Sequence, residues 1–289
     1  MKKFTVILLI AVLCLASVFA GGSSEKAVET KDYSTMSLSA LKAEVAKTTG
    51  GTLTVLTSPD YAPYEFYSVS KSGVPTLAGF DVALAKYIAN YLDMPIEFIP
   101  MDFDGILMEV QTKKTAIGIS GFSPTEERAE VVDFSKIYYA GDQAFICLAS
   151  NASKFKSLED TNNAKYTIAA QTGSIQVGLA EQYSPKADIL QLTKATDIIA
   201  ELIAGKIDGA YIETAVAESY KKNYPQIELA LSVPFDAEGN VVLIAKGNGA
   251  MVEAVNRAID AAIADGSMGK FVEEAGILAS GEIIEGLLN

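Results

Sequence analysis

The sequence predicts an α/β fold with two separate cores, and three observations support this. Strand-length apolar runs alternate with segments of helical periodicity from about Gly51 onward. Such alternation is typical of βαβ units and mostly parallel sheets flanked by helices. The pattern restarts at Phe145, and about 240 ordered residues are many for one open sheet, which favours two domains.

Each predicted element rests on its own apolar pattern. Phe80, Leu84, Ile88 and Leu92 recur every four residues, which indicates a helix with one buried stripe. A short helix is predicted over 37–47. Strands are predicted at 53–56, 96–99, 116–119, 145–148, 166–170, 209–212 and 241–245. Further helices are predicted at 103–110, 175–182, 196–204, 251–264 and 268–288.

The N-terminus has the features of a secretory signal peptide. Lys2 and Lys3 precede an apolar run over 6–18, and small residues favour cleavage after Ala20, so residues 1–20 are set aside as a leader. A lipid anchor at Cys14 ranks second, because Leu13 before it is not small. Residues 21–50 are predicted to be a flexible lead ending in the short helix.

Charge and composition exclude several classes of function. Without Lys2 and Lys3, 21 basic residues face 36 acidic ones, a net charge of −15, which argues against nucleic-acid binding. The chain has no histidine, so a histidine triad and a histidine metal site are excluded. Removal of the leader also removes Cys14, so Cys147 is the only remaining cysteine. It lies in an apolar run that is typical of a buried strand thiol. No cofactor or metal is predicted.

One arginine stands out by its surroundings. Arg128 follows a polar turn with Ser123, in the segment Ser-Pro-Thr-Glu-Glu-Arg of residues 123–128. Arginine stays charged and matches a carboxylate with two parallel donors. A surface arginine paired with Glu126 or Glu127 is the alternative.

Four further motifs accompany this segment in a fixed order. They are Thr57-Ser-Pro-Asp-Tyr-Ala-Pro-Tyr-Glu65, Gly79-Phe-Asp81, Gln171-Thr-Gly-Ser174 and Asp208-Gly-Ala-Tyr-Ile-Glu213. Together the five resemble the extracytoplasmic amino-acid-binding proteins of ABC importers, in the branch for polar and basic amino acids (family 3). The resemblance covers most of the chain after Gly51.

The resemblance implies a periplasmic-binding-protein fold of type II, a monomer with two lobes and two hinge crossovers. Lobe one would hold residues 51–140 and 236–289, and lobe two residues 141–235. A periplasmic location follows from the same resemblance and from the leader. The expected partners are a free L-amino acid in the interlobe cleft and a membrane permease that receives it.

The resemblance also assigns roles to particular residues. Arg128 would bind the ligand's carboxylate, assisted by Ser123 and by the Ser174 N–H, although Gly173-Ser174 alone would be an ordinary turn and helix cap. Glu213 and the Gly121 carbonyl would accept from the ammonium, and the alternative for Glu213 is a carboxylate serving the helix that starts at Thr214.

The remaining roles concern the ligand's side chain. Tyr61 and Phe103 would sandwich it, although each alone is more often a core residue. Gln171 and Gln176 would contact its tip. Ser58 stands where binders of basic amino acids often have Asp, which leaves Asp60, Glu65 or Asp142 as possible counter-charges. Ala116, where the family usually has Asp, is assigned no role.

Three readings of function remain at this stage. The first is transport binding of a polar amino acid, arginine or lysine first, at about micromolar affinity or tighter. The second is an enzyme on the same scaffold, similar to cyclohexadienyl dehydratase, since a fold does not fix a function. The third is a ligand-sensing module for a receptor.

Overall fold

Two five-stranded sheets, each flanked by helices, organise the chain. The structure, a computed structural model, describes residues 31–69, 73–236 and 239–281. The helices are α1 Leu38–Thr49, α2 Phe80–Tyr91, α3 Phe103–Thr112, α4 Glu126–Val131, α5 Ile175–Tyr183, α6 Ala195–Ile203, α7 Thr214–Asn223, α8 Gly249–Ala264 and α9 Ser267–Ala279. The strands are β1 Leu53–Thr57, β2 Asp60–Tyr61, β3 Glu65–Val69, β4 Pro75–Ala78, β5 Ile96–Pro100, β6 Ala116–Gly118, β7 Val132–Phe134, β8 Gln143–Leu148, β9 Thr167–Gln171, β10 Asp188–Leu192, β11 Gly209–Glu213, β12 Ile227–Val233 and β13 Leu243–Ala245.

The two sheets share one topology. The sheet of lobe one has the order β5-β1-β6-β13-β7, and that of lobe two β10-β9-β11-β8-β12. In each sheet four strands run in one direction and one runs against them, β13 in lobe one and β8 in lobe two. The reversed strand is the one that enters from the other lobe. The prediction of mostly parallel sheets in an α/β fold is therefore confirmed.

Two chain connections join the lobes side by side. The first runs from β7 to β8 and the second from β12 to β13. Between them Asn240 N–H donates to the Tyr139 carbonyl at 2.7 Å, and Tyr138 N–H donates to the Asn240 carbonyl at 3.0 Å. The predicted lobe boundaries, after residues 140 and 235, fall within these connections and remain predictions.

Helix α1 forms at Leu38–Thr49, where a short helix was predicted over 37–47, and it packs against the main core. Leu41 and Val45 are fully buried in the main hydrophobic core. Arg257 on α8 donates to the Met36 carbonyl at 2.8 Å and to the Tyr33 carbonyl at 3.1 Å. Residues 1–30, with the predicted leader and Cys14, lie outside the described residues.

Other elements depart from the sequence prediction. The small sheet β2-β3-β4 was not predicted, because its residues lie among Pro, Gly and Ser signals typical of loops. Helix α9 ends at Ala279, where the prediction ran to Leu288, beyond the described residues. Cys147 is buried in β8, as predicted. Within the described part of the chain, no helix has the length and apolarity needed to span a membrane.

Candidate functional site

A cavity lies between the lobes where strands of both sheets end. Its lining comes from β2, from the loop after β6, from α4 and the segment before it, from the end of β9, and from the first turns of α3 and α5. This is where parallel α/β sheets place their ligands. The lining residues are Tyr61, Phe103, Ser120, Gly121, Ser123 and Arg128 from lobe one, and Gln171, Ser174, Ile175 and Gln176 from lobe two.

Eight of the ten residues proposed from sequence line this cavity. Glu213 and Ser58 do not line it, and Ser120 and Ile175 line it without having been predicted. Ser120 directly precedes the predicted Gly121, so a nearby signal existed. Ile175 could not be found from its side chain, which is apolar. The group that it can offer a ligand is its backbone N–H. The binding roles themselves remain predictions.

Arg128 presents a buried positive charge to the cavity. Helix α4 begins after Thr125, whose hydroxyl accepts from Arg128 N–H at 3.2 Å. The guanidinium donates to the Ser123 carbonyl at 2.8 Å and to the Gly173 carbonyl of lobe two at 3.0 Å. It lies 5.1 Å from the Phe122 ring centroid, within cation–π range.

The charge of Arg128 has no carboxylate partner within 4 Å among the described residues. The alternative of a surface pair with Glu126 or Glu127 is therefore wrong, since Arg128 is only 7% exposed. Burial lowers the pKa of Arg128 to about 10, and the group stays charged at neutral pH. An unpaired buried cation is costly, so the site is suited to an anion that arrives from outside.

The first turn of α5 faces Arg128 from lobe two. Ser174 directs both its N–H, at 3.1 Å, and its hydroxyl, at 2.6 Å, to the Gln171 carbonyl. The predicted N–H donor to a ligand is thus engaged in a turn. The next two N–H groups, of Ile175 and Gln176, make no hydrogen bond to the described residues. Free N–H groups at a helix start attract a carboxylate.

Aromatic rings form two walls of the cavity. Phe103 stacks on Phe122, with centroids 4.4 Å apart and rings 17° from parallel. Tyr61 packs on Tyr64 with centroids 5.7 Å apart. Tyr61 and Phe103 each retain 8% exposure. They pack in the core and border the cavity at the same time, and their contact with a ligand remains a prediction.

Two amide side chains line the lobe-two side of the cavity, and one of them contacts a carboxylate that lies outside the lining. Gln171 Nε2 donates to Asp60 Oδ2 at 3.1 Å and to the Thr193 carbonyl at 3.1 Å. Gln176 Nε2 donates to Gln143 Oε1 at 2.7 Å. With their nitrogens engaged, both glutamines have an Oε1 that accepts no hydrogen bond from the described residues. The cavity therefore offers acceptors at this end.

Asp60 is the candidate counter-charge nearest the cavity. It belongs to lobe one, and its Oδ2 accepts from Ala195 N–H, the first residue of α6 in lobe two, at 2.6 Å. Ser58 orients it by donating to Oδ1 at 2.8 Å. Burial raises the pKa of Asp60, and the bonds from Ser58 and Ala195 oppose that shift. Glu65 lies fully buried behind Ser120, and Asp142 is exposed.

Glu213 is buried beside the interlobe connections and not in the cavity wall. Its carboxylate is paired with the Tyr64 hydroxyl, and its N–H donates to Tyr61 Oη at 3.3 Å. A Cβ on residue 141 would overlap Glu213 Oε1, so the first connection needs a glycine there. Burial raises the pKa of Glu213 to about 8. Gly121, at φ +59°, directs its carbonyl to Asn240 Nδ2 at 2.9 Å.

Comparison with known proteins identifies the family. The model of the bacterial extracellular solute-binding proteins, family 3, matches residues 53–275, and the chain belongs to that family. The arginine-binding extracellular protein ArtP of Bacillus subtilis is 33% identical over 174 residues, which are 60% of this chain and 65% of that protein.

Solved structures agree with this assignment and show the two-lobed type II fold. The amino acid ABC transporter substrate-binding protein AbpA of Streptococcus pneumoniae, bound to L-arginine, is 32% identical with a TM-score of 0.77, covering 85% of this chain and 100% of that chain. The ancestral amino acid-binding protein AncCDT-1, a precursor of cyclohexadienyl dehydratase, is 33% identical with a TM-score of 0.72, covering 81% and 98%.

Proposed function

We propose that the protein binds a free L-amino acid, arginine by preference, in the interlobe cavity and delivers it to the permease of an ABC importer. The observation that carries this proposal is the buried guanidinium of Arg128, which has no carboxylate partner among the described residues. A ligand carboxylate would complete the pairing, with the N–H groups of Ile175 and Gln176 opposite. Secretion by the leader over 1–20 and action as a monomer belong to the same proposal.

The other end of the cavity favours a cationic side chain. Asp60, which contacts the lining through Gln171, would supply charge, and the Oε1 atoms of Gln171 and Gln176 would supply neutral acceptors. A guanidinium carries five N–H donors and has no acceptor, which matches this set. The rings of Tyr61 and Phe103 would contact its aliphatic stem. The arginine-bound relative supports the same choice.

Glu213 is proposed as the acceptor for the ligand's ammonium group. Its carboxylate is paired with the Tyr64 hydroxyl, and its N–H donates to Tyr61 Oη. With a pKa of about 8, Glu213 is mostly protonated at neutral pH unless a cation lies beside it. Entry of an ammonium would favour the ionised form, so we expect Glu213 to exchange its tyrosine partner for the ligand and to release its proton.

Transport is favoured over catalysis on the same scaffold. The family match and the arginine-binding relative point to a binding protein. The likeness to AncCDT-1 and the raised pKa of Glu213 make a dehydratase-like reaction the second candidate function. The two functions separate in one assay, because a binding protein returns its ligand unchanged. Proton NMR of arginine after overnight incubation with the protein should show no product.

A thermal-shift screen of the mature protein against the twenty amino acids tests the proposed ligand. We expect L-arginine to give the largest rise in Tm, lysine and glutamine smaller rises, and acidic or branched aliphatic amino acids none, because stabilisation follows ligand affinity. Stabilisation by acidic or branched aliphatic amino acids alone would contradict the assignment of the side-chain end. No stabilisation by any amino acid would contradict the function itself.

Replacing Asp60 with asparagine is expected to weaken arginine binding by roughly 10- to 150-fold, since a hydrogen bond to a charged group contributes about 1.5–3 kcal/mol. Glutamine binding should change much less, because glutamine brings no positive tip. Isothermal titration calorimetry at two salt concentrations measures both, and arginine affinity should fall more steeply with salt.

Asp142→Asn is the matched control, because it removes an exposed carboxylate, whereas Asp60 is buried and bonded to the lining residue Gln171. An equal loss of arginine affinity in the two variants would show that only the general negative field attracts the ligand.

A further inference from the structure

A pair of fully buried carboxyl groups lies directly behind the cavity. Glu65 stands at the start of β3 and Asp81 in the first turn of α2, and both have zero exposure. Neither lines the cavity. They hold two neighbouring residues of one turn, Ser120 and Gly121, and lie close enough for each to shift the pKa of the other. Two carboxylates in such contact cannot both ionise without strong repulsion, so the pair must hold a proton.

Each carboxyl group also holds one residue of the cavity wall. Glu65 Oε1 is paired with the hydroxyl of Ser120, whose oxygen accepts from Ser58 N–H at 3.1 Å. Asp81 Oδ2 accepts from Gly121 N–H at 2.9 Å and from the Tyr138 hydroxyl at 3.0 Å. The pair therefore connects the Ser120–Gly121 turn to the first interlobe connection.

The remaining oxygens of the pair define where the proton lies. Glu65 Oε2 and Asp81 Oδ1 are buried and have no hydrogen-bond partner among the described residues, so a proton shared between them would satisfy both. Asp81 Oδ2 already accepts two hydrogen bonds, which favours its ionised form, whereas Glu65 accepts from a hydroxyl alone. Burial and the charge of Asp81 raise the pKa of Glu65 well above its ordinary range.

We propose that Glu65 and Asp81 share one proton and act as a single positioning unit, which holds the Ser120–Gly121 turn in the geometry that binds the ligand. Glu65 donates through this proton to Asp81 Oδ1, and the unit carries one negative charge. Its charged and titratable neighbours are Asp60, Tyr138 and Glu213. The effect on ligand affinity rests on the proposed function, but the shared proton does not.

Amide substitutions distinguish a shared proton from two independent carboxyl groups. In Glu65→Gln the amide Oε1 still accepts from Ser120 and Nε2 replaces the acid as donor. In Asp81→Asn the amide oxygen still accepts from Gly121, and its Nδ2 donates to an ionised Glu65. Either single variant keeps every bond and one negative charge. In the double variant two amide nitrogens face each other and the charge is lost.

Urea unfolding of the ligand-free protein over pH 5–8 gives the first measurement. A group whose native pKa is raised stabilises the fold at low pH and loses that contribution as pH rises towards the native pKa. Relative to either single variant, the wild-type unfolding equilibrium should therefore shift towards unfolding by up to tenfold per pH unit as pH rises. The charge of Asp81 helps to raise the pKa of Glu213, and Glu65→Gln retains that charge, so the contribution of Glu213 cancels most closely between the wild type and Glu65→Gln.

Arginine affinity gives the second measurement. We expect each single variant to lose less than about tenfold, and the double variant to lose more than the product of the two single losses. Wild-type and single variants with the same pH dependence would overturn the shared proton, as would losses that simply multiply in the double variant. If the double variant does not fold, the pH comparison on the single variants still decides. A wild-type protein that binds no arginine would refute the proposed function, but the shared proton would still be decided by the unfolding measurement.

Discussion

Replacing Arg128 by alanine is expected to abolish measurable arginine binding. Removing one partner of a buried charge-assisted pair costs about 2–5 kcal/mol, which corresponds to roughly 30-fold up to several thousand-fold in Kd. The ligand-free protein should stay folded, because the substitution removes a buried charge that has no carboxylate partner in the described structure. Calorimetry measures the affinity, and urea unfolding measures the stability.

The control for this variant comes from the only other arginine of the chain. Arg257 holds backbone carbonyls near α1, far from the cavity lining. Arg257→Ala should lower the free energy of unfolding and leave the affinity near the wild-type value. Arg128→Lys should bind with intermediate affinity, because lysine keeps the charge and loses the paired donors. Near-wild-type affinity of Arg128→Ala would remove the carboxylate assignment.

Replacing Glu213 by glutamine is expected to weaken arginine binding by about 1–3 kcal/mol, since an ammonium would lose its charged acceptor. The variant should also lose the preference for arginine over its analogue without the α-amino group. Unchanged affinity for arginine would assign Glu213 a purely structural role, in its pairing with Tyr64.

The pH dependence of binding gives an independent signature of Glu213. Its pKa is about 8 in the ligand-free structure, so the protonated form competes with ammonium binding below that pH. Affinity for arginine should therefore rise from pH 6 to pH 8, by up to tenfold per unit, and level off above. Titrations at pH 7 in buffers of different ionisation enthalpy should show proton release. Glu213→Gln should remove both effects, and proton uptake in the wild type would contradict the sign.

The sequence predicted the architecture well where periodicity was strong. Helix α2 is present where Phe80 and Leu84 begin the apolar stripe, and the predicted strands supply seven of the ten strands of the two sheets, whereas β7, β10 and β12 were not predicted. The strand order shared by the two sheets was not predicted. Sequence patterns locate the strands, but strand order depends on where in the sheet each connection places the next strand. The β2–β4 sheet was missed for a local reason, since its turn residues outweigh short strand signals.

The sequence predicted the parts of the candidate site that depend on polar side chains. It did not predict the parts that depend on backbone geometry. Arg128 and Ser123 were singled out in a polar turn and Gln171 through the family resemblance, and all three line one cavity. The free N–H of Ile175 was missed, because only the turn at Ser174 decides which N–H remains unpaired. Glu213 was placed correctly at a strand end, but its pairing with Tyr64 arises from tertiary contacts that no spacing reveals.

Calorimetric titration of the unmutated mature protein with arginine and with agmatine, which is arginine without its carboxyl group, tests the central claim most directly. Both ligands offer the same guanidinium and stem to Asp60 and the aromatic walls, and only arginine can pair with Arg128. We expect arginine to bind with a Kd of about 1 μM or tighter, near −8 kcal/mol, and agmatine to bind at least about 30-fold more weakly. Equal affinity for the two ligands, or no binding of arginine, would contradict an amino-acid site built around Arg128.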